Sequence, residues 1–226
     1  MKKIKIRLTF TEEILGTAPT SKEIYKDFIA SKAPDSASRE EEIAAIGVDE
    51  TVEKARTVFS KDENGELILW DYQIKGFFKE ACGALWGKDK KTASAKIKAY
   101  KKLINNNIFV MPRKIKIENI YDIGECQRPL RAATPQGERT ALAISDTVAA
   151  GATITFDIYL MDDSAEDALM EWLAYGALKG LGQWRNSGKG SFIYDKLEEE
   201  TLDFKEAMEM MQKLSRASLE EKIAAR

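Results

Sequence analysis

The chain has 226 residues, of which 44% are hydrophobic and 32% charged, with a net charge of −2 and no histidine. That length fits one large domain or one domain with additions, and the apolar fraction excludes disorder throughout. The near-neutral charge excludes a wholly basic nucleic-acid binder but not a local basic stripe, and the missing histidine removes Ser-His and Cys-His nucleophile pairs and histidine metal sites.

Lys3 to Phe10 alternates polar and apolar residues with the period of a half-buried strand. After a turn at Gly16 to Thr20, Thr20 or Ser21 is placed to cap a helix to about Lys32. Ala33-Pro-Asp breaks it, and Ser38-Arg-Glu-Glu is placed as a capping box for a second short helix to Ile46. Residues 17–57 therefore read as a helical insertion after the first strand. Thr57-Val-Phe and Leu67-Ile-Leu-Trp flank Asp62-Glu-Asn-Gly65, which predicts a β-hairpin. Asp71 to Trp86 places Ile74, Phe77, Phe78, Ala81 and Leu85 on one helical stripe. Thr92 to Ile104 predicts a lysine-rich amphipathic helix, and Ile108 to Ile117 a strand interrupted at Pro112. The stretch from Gly124 to Val148 reads as a loop-rich excursion carrying Arg128, Arg131 and Arg139. Ala152 to Met161 is the most regular strand pattern in the chain. Ser164-Ala-Glu-Asp predicts the cap of a helix to Leu178, with Leu169, Trp172, Leu173 and Ala177 inward.

Gly180-Leu-Gly-Gln-Trp-Arg-Asn-Ser-Gly-Lys-Gly-Ser-Phe192 follows, and then a last strand from Gly190 to Tyr194. Without insertions the order is strand, helix, strand, strand, helix, strand. That is an α+β, ferredoxin-like (βαββαβ, RRM-like) core with helices on one face of an antiparallel sheet. Residues 197–226 read as a charged helical tail on a domain of residues 1–196, with 119–148 as its loop excursion. Cys82 and Cys126 lie far apart and fit small hydrophobic residues in a reducing compartment. The Met1-Lys-Lys-Ile start has no apolar signal core, and no apolar run reaches the roughly 18 residues of a membrane span. The expectation is a cytoplasmic protein of a bacterial host cell, with no membrane partner, no metal and no cofactor.

The βαββαβ order and the terminal glycine loop together resemble the RAMP superfamily of CRISPR-associated RNA-binding proteins. The likeness is to the backbone subunits that line guide RNA in type III effector complexes. Leu69-Trp-Asp-Tyr-Gln-Ile-Lys75-Gly76 is similar to the family's Pro-Gly-Ser-Ser-Leu-Lys-Gly lead-in to its first helix, with Trp70 to Gln73 in place of Pro-Gly-Ser-Ser. Arg131 to Phe156 is similar to the segment running into the third core strand, and Gly180 to Phe192 to the family's glycine-rich loop. The chain also resembles small proteins encoded in bacteriophage genomes. The insertion and the charged tail are departures, and they point to a relative working outside a standard CRISPR locus.

The resemblance implies single-stranded RNA as partner, with self-association along the strand. Gly180, Gly182, Gly188 and Gly190 would let a ligand approach the loop backbone. Lys179, Arg185 and Lys189 suit phosphates, Trp184 a stacked base, and Gln183 and Asn186 base edges or 2′-hydroxyls. Lys75 beside Gly76 at a helix start also suits an anion, and Arg128, Arg131 and Arg139 bring the guanidinium fork. For each the alternative is a surface cation or an ordinary turn. Asp49 in Ile46-Gly-Val-Asp corresponds to an aspartate that supplies metal-dependent RNA cleavage in some backbone subunits, but it has only Glu50 beside it. The expected function is non-catalytic RNA binding. A protein-interaction module acting on a CRISPR or other defence complex, and a magnesium-dependent ribonuclease using Asp49, are the alternatives.

Overall fold

A computed structural model describes residues 1–19, 56–87, 91–134 and 137–224. The helical insertion expected at residues 17–57 falls mostly outside the described residues. The core begins with β1 (Lys2–Phe10), in which Ile4, Ile6, Leu8 and Phe10 are buried and alternate with Lys3, Lys5, Arg7 and Thr9. Two short strands, β2 (Ile14–Leu15) and β3 (Ala18–Pro19), follow. Then come β4 (Arg56–Val58), β5 (Ser60–Lys61), β6 (Leu67–Trp70) and helix α1 (Asp71–Leu85). Helix α2 (Tyr100–Asn107) leads into β7 (Ile108–Met111) and β8 (Lys114–Glu118). A pair of long strands, β9 (Ile123–Thr134) and β10 (Gly137–Val148), precedes β11 (Thr153–Leu160), α3 (Glu166–Lys179), β12 (Phe192–Thr201) and α4 (Phe204–Ala224).

The protein is α+β. One sheet runs in the order β12-β1-β11-β8-β6-β5, with β7 also beside β11, and every pairing in it is antiparallel. Its β12-β1-β11-β8 part is the strand order of the ferredoxin-like βαββαβ core. The register Ile4↔Ile158, Ile6↔Phe156, Leu8↔Ile154 lines up the apolar positions of β1 and β11 on one face. That face is covered by Ile74, Phe77, Phe78 and Ala81 of α1 and by Ala168, Leu169, Trp172 and Leu173 of α3. Phe78 meets Trp172 at 5.7 Å between ring centroids, and Phe77 meets Phe192 at 5.2 Å. Each buried side chain of this size stabilises the fold by about 1.5–3 kcal/mol relative to exposure.

The other face of the sheet is charged. Lys3 pairs with Asp157 at 3.4 Å and Lys5 with Glu198 at 3.2 Å, while Tyr159, in register with Lys3, is only 2% exposed. An RRM stacks bases on aromatic rings displayed on that face. Here the central strands offer paired charges and a covered tyrosine instead.

Several expectations change. The stretch from Gly124 to Val148 is not a loop excursion but a ribbon, β9 against β10, in register from Ile123↔Val148 to Thr134↔Gly137. Among the described strands β9 pairs with β10 alone, an edge position in which Pro129 is tolerated. The base of the ribbon joins a second sheet, in which β10 pairs with β2 and runs parallel to β4. Arg56 fastens it, donating from Nε and Nη2 to Asp146 Oδ1 at 2.9 and 2.6 Å. Thr57 and Val58 belong to this sheet as β4, so the predicted hairpin is narrower, formed by β5 and β6 around Asp62 to Gly65.

The lysine-rich helix is broken. A 3-10 turn at Ser94–Lys96 and then α2 are separated by Ala99 in a left-handed conformation, φ 52°. Glu171 of α3 accepts from the amides of Ala93 (2.6 Å) and Ser94 (3.0 Å), and this holds the turn where helix continuity would have carried it away. Asp162, not Ser164, caps the approach to α3 by accepting from Ser164 N at 2.9 Å. Gly176 is the buried position near the end of α3, and Ala177 is exposed. The last strand runs on to Thr201 and the tail helix begins at Phe204, because Glu198 and Glu199 find lysine partners across the strands.

Candidate nucleic-acid interface

The glycine loop leaves α3 at Gly180, whose amide donates to Gly176 O at 3.0 Å, and returns to β12. Leu181 N donates to Gly190 O (2.9 Å), Gly190 N to Glu13 O (2.8 Å), and Ser187 N and Gly188 N to Trp184 O and Arg185 O (both 3.0 Å). These five amides are committed inside the protein, so they do not form the open array that the glycine content suggested. The glycines serve close packing. A Cβ on Gly190, at φ 70°, would lie 1.8 Å from Leu181 O, and one on Gly182 would lie 2.7 Å from Leu15 O. Gly180 and Gly188 also take positive φ. The loop is thereby clamped between β12, the segment after β1 and β2.

The loop cations are paired. Lys179 lies 3.1 Å from Glu80 of α1, Arg185 contacts the other oxygen of the same carboxylate, and Lys179 also donates to Asn186 Oδ1 at 3.3 Å. Lys189 lies 2.5 Å from Glu13. Burial alone would raise the Glu80 pKa, but hydrogen bonds from Lys179 and Arg185 outweigh it and hold the carboxyl below its ordinary value. The hydrogen bond to Glu13 holds the Lys189 ammonium above its ordinary value. Sequence reasoning missed Glu80 and Glu13. Glu80 reads as the solvent face of an amphipathic helix and Glu13 as a loop acid, and nothing near either in sequence points to the loop.

Arg128 is in a different position. It sits on β9 opposite Ala143, with its guanidinium carbon 5.0 Å from the centre of the Trp184 ring. Its Nη2 donates to Gln183 Oε1 at 3.0 Å, while Nε and Nη1 are covered and find no hydrogen-bond partner among the described residues. Among the described residues it makes no ion pair with a carboxylate. Trp184 adopts φ 53°, ψ 33° and is 38% exposed. A non-glycine residue in that conformation costs of order 1–3 kcal/mol, and such strain concentrates at functional sites. The ribbon base and the glycine loop, about 55 residues apart in sequence, thus meet at one cation stacked on one indole.

The other predicted residues lie elsewhere. Lys75 donates to Asn105 O at 3.2 Å and stands over Phe109 at 5.2 Å. Burial pulls its pKa down, with Lys79 adding to the effect. Gln73 fills the turn before it, accepting from Trp70 N and donating to Thr17 Oγ1 (both 2.7 Å). Arg131 and Arg139 occupy the ribbon opposite Thr140 and Ala132, and only their backbone positions are described. Asp49 lies outside the described residues. Among the described residues no helix is long and apolar enough to cross a membrane.

No family model and no curated protein matches the chain. Among solved structures it is similar to a chain in the cryo-electron microscopy structure of the type III-B Cmr-beta bound to cognate target RNA. The identity is 12% and the TM-score 0.46, over 88% of this chain and 60% of that one. At that TM-score the likeness carries no weight for function.

Proposed function

We propose that this protein binds single-stranded RNA, without cleaving it, on the surface where the glycine loop meets the base of the β9–β10 ribbon. The observation that carries this reading is Arg128, a guanidinium stacked on Trp184 that has no carboxylate partner among the described residues. A charge withdrawn from water without a counter-charge is costly, and a phosphate oxygen is the partner that fits it. The exposed part of Trp184 offers a ring on which a base can stack. Because Arg128 takes the Gln183 oxygen, the Gln183 amide nitrogen is the end of that side chain suited to donate to a base edge or a 2′-hydroxyl. The charge-paired sheet face gives no comparable platform.

The test is binding of a labelled mixed-sequence RNA of 30 nucleotides at two salt concentrations, by wild type, Arg128→Ala and Trp184→Ala. Loss of one stacked base costs roughly 1–3 kcal/mol, so Trp184→Ala is expected to weaken binding by about 5- to 150-fold. Arg128→Ala is expected to weaken it at least about tenfold and to flatten the salt dependence. Binding that is absent at low salt, or indifferent to salt, overturns the reading. Shortening of the RNA on incubation with magnesium overturns its non-catalytic part.

A further inference from the structure

Glu80 and Glu13 come from α1 and from the segment after β1, yet between them the two carboxylates hold Lys179 at the end of α3 and the glycine loop's Arg185 and Lys189. We infer that these two glutamates set the ligand specificity of the surface: they yield Lys179, Arg185 and Lys189 to a strand with several consecutive phosphates and withhold them from a single phosphate or mononucleotide. This rests on the RNA-binding reading above. Glu80 thus serves Lys179 and Arg185 together, and Glu13 serves Lys189.

A lone phosphate that approaches Lys189 must displace Glu13 and leave that carboxylate without its partner. The exchange trades one charge-assisted pair for another and brings little gain. A strand changes the balance. Once Arg128 and Trp184 hold one nucleotide, the neighbouring phosphates arrive at high effective concentration, and each exchange follows within the same complex. Discrimination then comes from the competing carboxylates and not from any contact to the strand itself.

The salt dependence gives a signature that a structural role of the glutamates would not produce. Each phosphate of a single strand that meets a free cation releases roughly 0.7 of a counterion. In the wild type the displaced carboxylate takes up a cation in return, which cancels most of that release. Removing the carboxylate removes the cancellation.

The experiment compares wild type, Glu80→Gln, Glu13→Gln and the double variant, with thermal melting to confirm that each is folded. The 30-nucleotide RNA and adenosine monophosphate are the two ligands. Each single variant is expected to bind the RNA at least about threefold tighter at low salt, with the slope of log K against log salt steeper by roughly 0.7 per carboxylate. The double variant is expected to bind the mononucleotide at least about threefold tighter than the wild type does. Lys189→Gln made in the Glu13→Gln background closes a cycle: it should abolish the gain made by Glu13→Gln. Equal or weaker RNA binding by the glutamine variants, with unchanged slopes, overturns the inference while leaving the RNA reading intact. If wild type and Arg128→Ala alike show no salt-dependent binding, the RNA reading fails and the inference falls with it.

Discussion

Arg128 and Arg185 place the same guanidinium in opposite circumstances. Arg185 shares Glu80 with Lys179 in a half-exposed cluster, where an ion pair contributes little and is readily exchanged. Arg128 lies against an indole with donors unspent. The two substitutions should therefore separate: Arg185→Ala is expected to change RNA affinity by less than about threefold, because Glu80 then pairs with Lys179 alone. A titration of both alanine variants under one buffer decides this, and equal losses would mean that the loop cations act together. Sequence could not rank these two arginines, since the difference lies in partners drawn from α1 and the ribbon.

At the scale of elements, the glycine loop and the turn before α2 are held in ways that substitution can read. Gly188 and Gly190 share a positive φ but not their surroundings. A methyl group on Gly188 meets nothing within 4 Å, so Gly188→Ala should cost about 1–2 kcal/mol of backbone strain alone. Gly190→Ala adds a collision with Leu181 O and should cost clearly more than that ~2 kcal/mol. Chemical denaturation of the pair would show it, and equal losses would mean that the loop yields where it now looks clamped. Glu171 fastens the other connection, since its carboxylate also accepts from Ser94 Oγ at 3.0 Å, and that hydroxyl accepts from Trp172 Nε1 at 2.9 Å. Glu171→Ala is expected to cost about 1–2 kcal/mol, a charged hydrogen-bond acceptor discounted for partial exposure.

Over the whole molecule these attachments give stability a pH dependence with a defined sign. For Glu171 and Glu80 burial acts to raise the pKa, but the hydrogen bonds each receives outweigh it and leave the folded value depressed. A depressed carboxyl contributes stability that is present above the unfolded pKa, about 4.3 for glutamate, and is lost as pH falls through the folded value. Lys2 and Lys189, raised by hydrogen bonds to Glu166 and Glu13, contribute stability that is full below the unfolded lysine pKa and is lost as pH rises through the folded one. Asp71 runs the other way, pushed up by burial against the pull of Arg113, so its ionisation costs stability at neutral pH. Melting temperature should therefore stay level from about pH 6 to 8 and fall below about pH 4.5, and Glu171→Gln should flatten that acid limb. An unchanged acid limb in the variant would remove Glu171 from the account.

The sequence by itself determined the βαββαβ core, because its signals are local. The alternation of Ile4, Ile6, Leu8 and Phe10 and the stripe from Ile74 to Ala81 each announce a buried face within one element. Their burial between sheet and helices follows from that pattern. It also picked out the glycine loop, expected as an anion cradle, in which the amides of Gly180, Leu181, Ser187, Gly188 and Gly190 are spent on the protein. Only the tertiary structure decided that the stretch after Gly124 is a ribbon, that Arg128 stacks on Trp184, and that Glu80 reaches Arg185 across 105 residues of chain. Hydrophobic periodicity is written along the chain, whereas the partner of a charge depends on which distant elements the fold brings together.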